Sequence, residues 1–353
     1  HGLRTRKRTR AHKREVRQGH IHHGARGGAD ISGVRRAYKH DADCVEHQGA
    51  PSSGFVNMLF YRPFARRHRP ACPVFERAPT LHALLNVAVA AARKGGDSLI
   101  RSQRRLGDLN VQSKGRNDFV SEADRLAEAK IIDEIRKSYP DHAILAEETG
   151  AHDGQEDVTW IIDPLDGTSN FLHGNPVFCV SVACQIGGRL SHGVVYDPLR
   201  QELFTASRGA GAQLDGRKIR VSGRQHLKTA LLGTGFPFRA GQEEDVDNYL
   251  ALLKTVLLAS SGVRRPGAAA LDLAYVAAGR LDAFWEFGLK AWDVAAGALI
   301  IREAGGIVSG VDGGEDYLHG GHIMTGTPKI YAALAKLFAN EGRAPVRAML
   351  GKT

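Results

Sequence analysis

The stretch Trp160-Ile161-Ile162-Asp163-Pro164-Leu165-Asp166-Gly167-Thr168-Ser169-Asn170 constrains this 353-residue chain more than any other. An apolar run turns without a spacer into two carboxylates, a turn glycine and a hydroxyl. Such a run reads as a buried strand that delivers its acidic residues at its carboxyl end, where sheets of mixed α/β proteins present ligands. Two aspartates three apart, stiffened by Pro164 and released by Gly167, suit a divalent cation better than they suit a core. Packed together without one they would be costly.

Charge is unevenly spread. Residues 1–70 hold 16 Lys and Arg against 5 Asp and Glu, whereas the other 283 residues are nearly balanced at 32 against 33. The net charge of +10 therefore belongs to the leader, and a nucleic-acid function built on it is misplaced. Cys44, Cys72, Cys179 and Cys184 lack metal-type spacing; Cys179 and Cys184 fall in an apolar strand-like run and read as buried free thiols. They suggest a reducing compartment. No run approaches the roughly 18 apolar residues of a membrane span, so a soluble, cytoplasmic protein with no membrane partner is expected.

Residues 1–57 carry Arg/Lys runs, clustered histidines and few periodic apolar residues. Three readings fit them: a disordered basic tail, an Arg-rich transit peptide, or sequence upstream of the true start. From Thr80, an N-cap candidate, Leu81, Leu84, Leu85, Val89 and Ala92 recur at helical spacing and predict a helix to about Leu106. Gln112 to Asp118 reads as a loop. Ser121 caps a second helix, Glu122 to Tyr139, which Pro140 stops. Ala143–Ala146 is a short strand ending on Glu147-Glu148. From Val177 to Val221, apolar segments broken by Gly187-Gly188, Asp197-Pro198 and Asp215-Gly216 read as an antiparallel meander. Helices are then expected through Leu258, from Gly267 to Gly279, from Trp292-Asp293 to Gly305-Gly306 and over Pro328–Phe338, with a strand at Leu281–Phe287. The class is α+β. The expected divisions are a leader at 1–77, an N-terminal half at 78–225, a C-terminal half at 226–342 and a tail at 343–353.

Glu147-Glu148, Asp163, Asp166 and Asp293 each follow a strand or open a helix. Asp293 alone reads as a helix cap. Converging buried carboxylates need cations to stay ionised, and a hard all-oxygen donor set without His or Cys points to Mg²⁺. Main-chain N–H groups after Gly167 would face an anion. Carboxylates, Mg²⁺ and an anion cradle together indicate phosphoryl chemistry. No Walker lysine or kinase signature is present, which favours hydrolysis over transfer from ATP.

Asp163-Pro164-Leu165-Asp166-Gly167-Thr168-Ser169-Asn170-Phe171, with His173-Gly174 following, resembles the first signature of the inositol monophosphatase family. Trp292-Asp293-Val294-Ala295-Ala296-Gly297 resembles its second, and Glu147-Glu148 its upstream glutamate pair. The resemblance covers about residues 80–340. It implies a layered αβαβα sandwich and a lithium-sensitive phosphomonoesterase using two or three Mg²⁺. By resemblance, Glu147, Asp163 and the Leu165 carbonyl would hold a first metal, Asp163, Asp166 and Asp293 a second, and Glu147 would reach a third. Thr168, oriented by Asp124, would help Glu147 activate the attacking water, with Lys114 nearby. Gly167 and Thr168 amides would contact phosphate, and Asp166, Gly267, Ala269 and Glu286 would meet the alcohol. The family usually has Ser or Thr where this chain has Ala268, so one hydroxyl contact to a sugar-like alcohol is missing.

The resemblance implies a homodimer acting on inositol monophosphate or a similar small polyol phosphate. Fructose 1,6-bisphosphate, histidinol phosphate and nucleotide 3′-phosphates are the alternative substrates. The segment Arg264 to Tyr275 is most similar to bacterial members, one branch of which serves in a ribosomal RNA antitermination complex. A transcription-complex partner with incidental phosphatase activity is therefore the alternative of another class. Arg264 and Arg265 would serve a dimer contact or a basic patch.

Overall fold

A computed structural model describes residues 81–108, 111–115, 118–154, 157–237 and 241–351. The basic leader, Cys44, Cys72 and the Thr80 cap lie outside them. The described chain stacks five layers, helices alternating with two sheets, as the αβαβα expectation requires. Among the described residues, no helix is long and apolar enough to cross a membrane.

The first layer is α1 (Leu81–Gln103) packed on α2 (Glu122–Ser138). Ser121 caps α2 through a capping box with Asp124, and the last turn carries Arg136 and Lys137, which suits the helix dipole. Between the two helices, the segment read as a loop is a two-stranded hairpin, β1 (Val111–Gly115) with β2 (Asp118–Ser121). Its polar residues show no apolar alternation, so nothing marked it as strand.

The larger sheet contains β3 (Ala143–Ala146), β4 (Gly150–His152), β5 (Val158–Asp166), β6 (Cys179–Ile186), β7 (Arg189–Asp197), β8 (Glu202–Ser207), β9 (Gly211–Leu214) and β10 (Arg217–Lys218). Strands β6 to β10 form the expected antiparallel meander; β3 joins β5 in parallel. The strand β5 is covered on both sides. Trp160 and Ile162 enter the core beneath α1 and α2, while Ile161 enters the opposite core. That double burial is why the run is apolar without alternation.

The five-residue α3 (Thr168–Leu172) follows β5 directly. The smaller sheet orders β12 (Gly262–Arg264), β11 (Leu231–Thr234), β13 (Ala283–Phe287), β15 (His322–Gly326) and β14 (Ile307–Ser309). Between the sheets lie α5 (Ala269–Ala277) and α6 (Ala291–Glu303). Nearly every residue of α6 from Ala291 to Ile301 is buried, as a helix between two sheets must be. It approaches β7 so closely that a β-carbon on Gly193 would lie 2.9 Å from the Ala296 carbonyl oxygen. The outer layer is α4 (Val246–Ala259), α7 (Pro328–Ala339) and α8 (Arg343–Met349), whose apolar faces share a core with the smaller sheet. The helix α8 packs on α4.

Candidate functional site

The end of β5 departs from strand geometry at the point where the acidic residues begin. Opposite β6, Asp163 pairs with Ser181 and Asp166 with Cys179, so three steps on one strand match two on the other. This is a bulge. In a regular strand, residues three apart point to opposite faces; the extra residue restores parity. Leu165 accordingly falls into the α1/α2 core, while Asp163 and Asp166 both line one cavity on the other side. Pro164 fits here because a bulge leaves an N–H without a ladder partner. Gly167 then turns the chain at φ +97°, and a β-carbon there would meet the Val177 carbonyl oxygen at 2.8 Å.

The same cavity is lined by Glu147 from the end of β3 and Asp293 from the first turn of α6. Glu147 follows the Ala146–Ile162 pair, and its N–H donates to the Ile162 carbonyl, which sets it beside Asp163. The two carboxyls share a hydrogen bond. Asp293 acts as the cap its position suggested, accepting the Lys290 N–H at 2.6 Å, and also faces the cavity. Asp163 accepts the Leu165 N–H at 2.9 Å. Asp166 reaches across to α5, accepting the Ala269 and Ala270 N–H groups at 3.1 and 2.7 Å. The N-cap residue of α5 is Ala268, which has no side-chain acceptor. Asp166 therefore caps this helix from another strand.

Thr168 donates its hydroxyl to Asp124 and to the Leu165 carbonyl, each at 3.1 Å. Asp124 is fully buried and also accepts the Ser121 N–H and hydroxyl at 2.8 and 2.6 Å. Burial raises its carboxyl above the usual range against the pull of these hydrogen bonds. Gly267, Ala269 and Glu286 complete the wall expected to face the alcohol. Lys114 lies on β1, and its side chain is outside the described residues. His173, a conceivable rival nucleophile, is exposed with Nδ1 against the Ser169 carbonyl and does not line the cavity.

Three residues serve the site in ways their sequence context does not indicate: Arg265, which beside Arg264 reads as a dimer contact or basic patch, Asn170, which reads as part of the first signature, and Glu128. Arg265 lines the cavity, its guanidinium 5.1 Å from the centre of the Phe236 ring. Asn170 ties α3 to the Gly267 loop, donating to the Val177, Pro266 and Gly267 carbonyls at 2.8, 2.9 and 3.2 Å. Glu128 on α2 is 1% exposed and accepts the Glu148 and Thr149 N–H groups, each at 2.9 Å. It holds the turn that presents Glu147. Glu128→Ala is expected to cost about 3 kcal/mol, lowering Tm by roughly 6–12 °C. It should also weaken Mg²⁺ binding about tenfold, as loss of an outer partner does; thermal melts and Mg²⁺ titration of activity measure both.

Electrostatically the cavity is strained. Burial, and then the charges of Glu147, Asp166 and Asp293, raise the Asp163 carboxyl well above the usual range. Asp166 is pushed up to about 7 by burial and Asp293, against the helix N–H groups and the Cys179 thiol. Among the described residues lining the cavity, Arg265 is the one cation. This donor set fits Mg²⁺: hard oxygens, crowded and buried, whose mutual repulsion a small divalent cation relieves. Among the described residues, no three His, Cys, Asp or Glu side chains already stand as a finished ligand set. Asp163, Asp166 and Asp293 accept main-chain N–H groups instead, and Asp163 shares a hydrogen bond with Glu147.

The model of the inositol monophosphatase family matches residues 80–343. A protein of Pseudomonas aeruginosa named Nus factor SuhB is 55% identical over 254 residues, covering 71% of this chain and 94% of that protein. The crystal structure of extragenic suppressor protein suhB from Bartonella henselae matches with a TM-score of 0.71 at 45% identity, over 73% of this chain and 99% of that one. The structure of inositol monophosphatase from Anabaena (Nostoc) sp. PCC 7120 matches with a TM-score of 0.66 at 38% identity, over 73% and 96%.

Proposed function

The chain belongs to the inositol monophosphatase family, and from that premise we propose that it is an Mg²⁺-dependent phosphomonoesterase for inositol monophosphate or a similar small polyol phosphate. The observation that carries this reading is the convergence of Glu147, Asp163, Asp166 and Asp293, from three separate elements, on one cavity. Glu147, Asp163 and the Leu165 carbonyl would hold one Mg²⁺; Asp163, Asp166 and Asp293 would hold a second, with Glu147 reaching a third. Bound there, the metal supplies Lewis-acid activation of phosphate and water.

The chain's own residues account for the rest. The Thr168 proton is held toward Asp124 and the Leu165 carbonyl, which leaves hydroxyl lone pairs free to accept a hydrogen bond from the attacking water. Glu147 is the second acceptor, and Lys114 is assigned to the same side. Gly167 and Thr168 amides bind phosphate oxygens. Asp166, Gly267, Ala269 and Glu286 orient the alcohol so that its ester oxygen faces away from the water. The reading includes a cytoplasmic homodimer.

The test is a phosphate-release panel over inositol 1-phosphate, fructose 1,6-bisphosphate, histidinol phosphate and a nucleotide 3′-phosphate. Inositol 1-phosphate should be the best substrate, with activity lost in EDTA and regained with Mg²⁺. No release from any ester, or release that survives chelation, contradicts the reading. A second reading, a transcription-complex partner, is favoured by the name of the Pseudomonas relative, Nus factor SuhB.

A further inference from the structure

The alcohol side of the cavity holds an acid with no role assigned above. Asp272 lines it from α5, three residues beyond Ala269. The residue is 2% exposed, and its Oδ1 is buried without a hydrogen-bond partner. Among the described residues, no other side chain with such an atom lines this cavity. An unpaired buried oxygen is costly, and although Asp272 lies in the first turn of α5, its Oδ1 caps no N–H there. The cavity that Asp272 borders is where a partner for this oxygen can arrive.

We propose that Asp272 is a specificity-determining residue whose carboxyl hydrogen-bonds a hydroxyl of the leaving alcohol, so that the site selects phosphate esters of polyhydroxylated alcohols. This rests on the phosphomonoesterase reading. Arg265 and Glu286 share the same wall; their opposite charges offset, so a neutral hydroxylated group matches it better than an ion. Burial first, and then Glu286 and Asp166, raise the Asp272 carboxyl well above the usual range, with Arg265 opposing. As a neutral acid it offers both a donor and an acceptor, which a hydroxyl complements. Ala268, 1% exposed at the start of the same helix, has no hydroxyl to offer. Asp272 takes over the reading of the alcohol.

The experiment compares wild type, Asp272→Ala and Asp272→Asn on myo-inositol 1-phosphate and phenyl phosphate with Mg²⁺, alongside thermal melts. Asp272→Ala should lower kcat/KM for the inositol ester about tenfold, mainly through KM, and for phenyl phosphate less than about twofold. Its Tm should hold or rise, because alanine favours the helix and removes the unpaired oxygen. Asp272→Asn, keeping a donor and an acceptor, should retain the inositol preference within about threefold. Equal losses on both esters, or a lower Tm with an unchanged preference, make Asp272 structural and overturn the proposal. If wild type releases phosphate from neither ester, the phosphomonoesterase reading falls and takes the proposal with it. Hydrolysis by wild type with no change of preference in Asp272→Ala sinks the proposal alone.

Discussion

Asp163→Asn is expected to reduce Mg²⁺-dependent phosphate release by about 10³-fold or more, with the protein still folded. Asp163 is 1% exposed, and its carboxyl is the one pressed by Glu147, Asp166 and Asp293 together. It is assigned to both principal metals, so the amide removes a charge from each. The fold should survive because asparagine keeps the Oδ1 that accepts the Leu165 N–H, and because losing a buried like charge relieves the other carboxylates. Activity within tenfold of wild type would refute the metal assignment. The variant also separates the two functional readings. If Asp163→Asn restores growth to a strain lacking the protein while releasing no phosphate, the biological role is that of a transcription partner.

The second large effect is on stability. In EDTA, the protein should become less stable as pH rises from about 5 to 8, and Mg²⁺ should cancel most of that loss. Asp166 stands at about 7 against an ordinary 3.8, and Asp163 is raised in the same direction. The folded protein therefore keeps protons that the unfolded chain has released, and stability falls with increasing pH. The contribution is complete below about pH 4, where both states are protonated, and disappears as pH passes about 7. For Asp166 alone, the part lost between pH 5 and 8 is about 3 kcal/mol, or a Tm lower by roughly 6–12 °C. Glu202 and Glu134 act in the opposite sense, held below their ordinary 4.5 mainly by hydrogen bonds from Arg280 and Lys137. They titrate below this window. Melting curves in EDTA that stay flat or rise between pH 5 and 8 would refute the prediction.

Much of this site was legible because its chemistry sits where one pattern stops and another starts. The abrupt end of an apolar run locates Asp163 and Asp166, and Ser121 ahead of an amphipathic stretch locates α2. Other features depend on partners distant in sequence. The bulge exists only relative to β6, and nothing in Asp163-Pro164-Leu165-Asp166 says that both carboxylates face the same way. Glu128 looks like any acid on a helix until its two N–H donors, 20 and 21 residues away, are in place. Asp272 hides in an alanine-rich helix whose other buried residues are apolar or small. The hairpin β1–β2 and the helix α8 lack strong periodicity, and tertiary contacts decide their conformation. Arg265 shows the same limit: beside Arg264 it reads as part of a charged surface, yet it stands at the cavity.

The bulge at the end of β5 also governs how this stretch can change over evolutionary time. Exchanging Pro164 or Leu165 leaves the number of steps between the two aspartates intact, and both still reach the cavity. Deleting either one would cancel the extra residue and leave the aspartates two apart on a regular strand, where they still share a face. Inserting one residue while the bulge persists would swing one aspartate toward the other side of the sheet, into the oil beneath α1 and α2. A lineage that depends on this site is free to vary the spelling between Asp163 and Asp166, and tolerates a shorter stretch there better than one lengthened by a single residue.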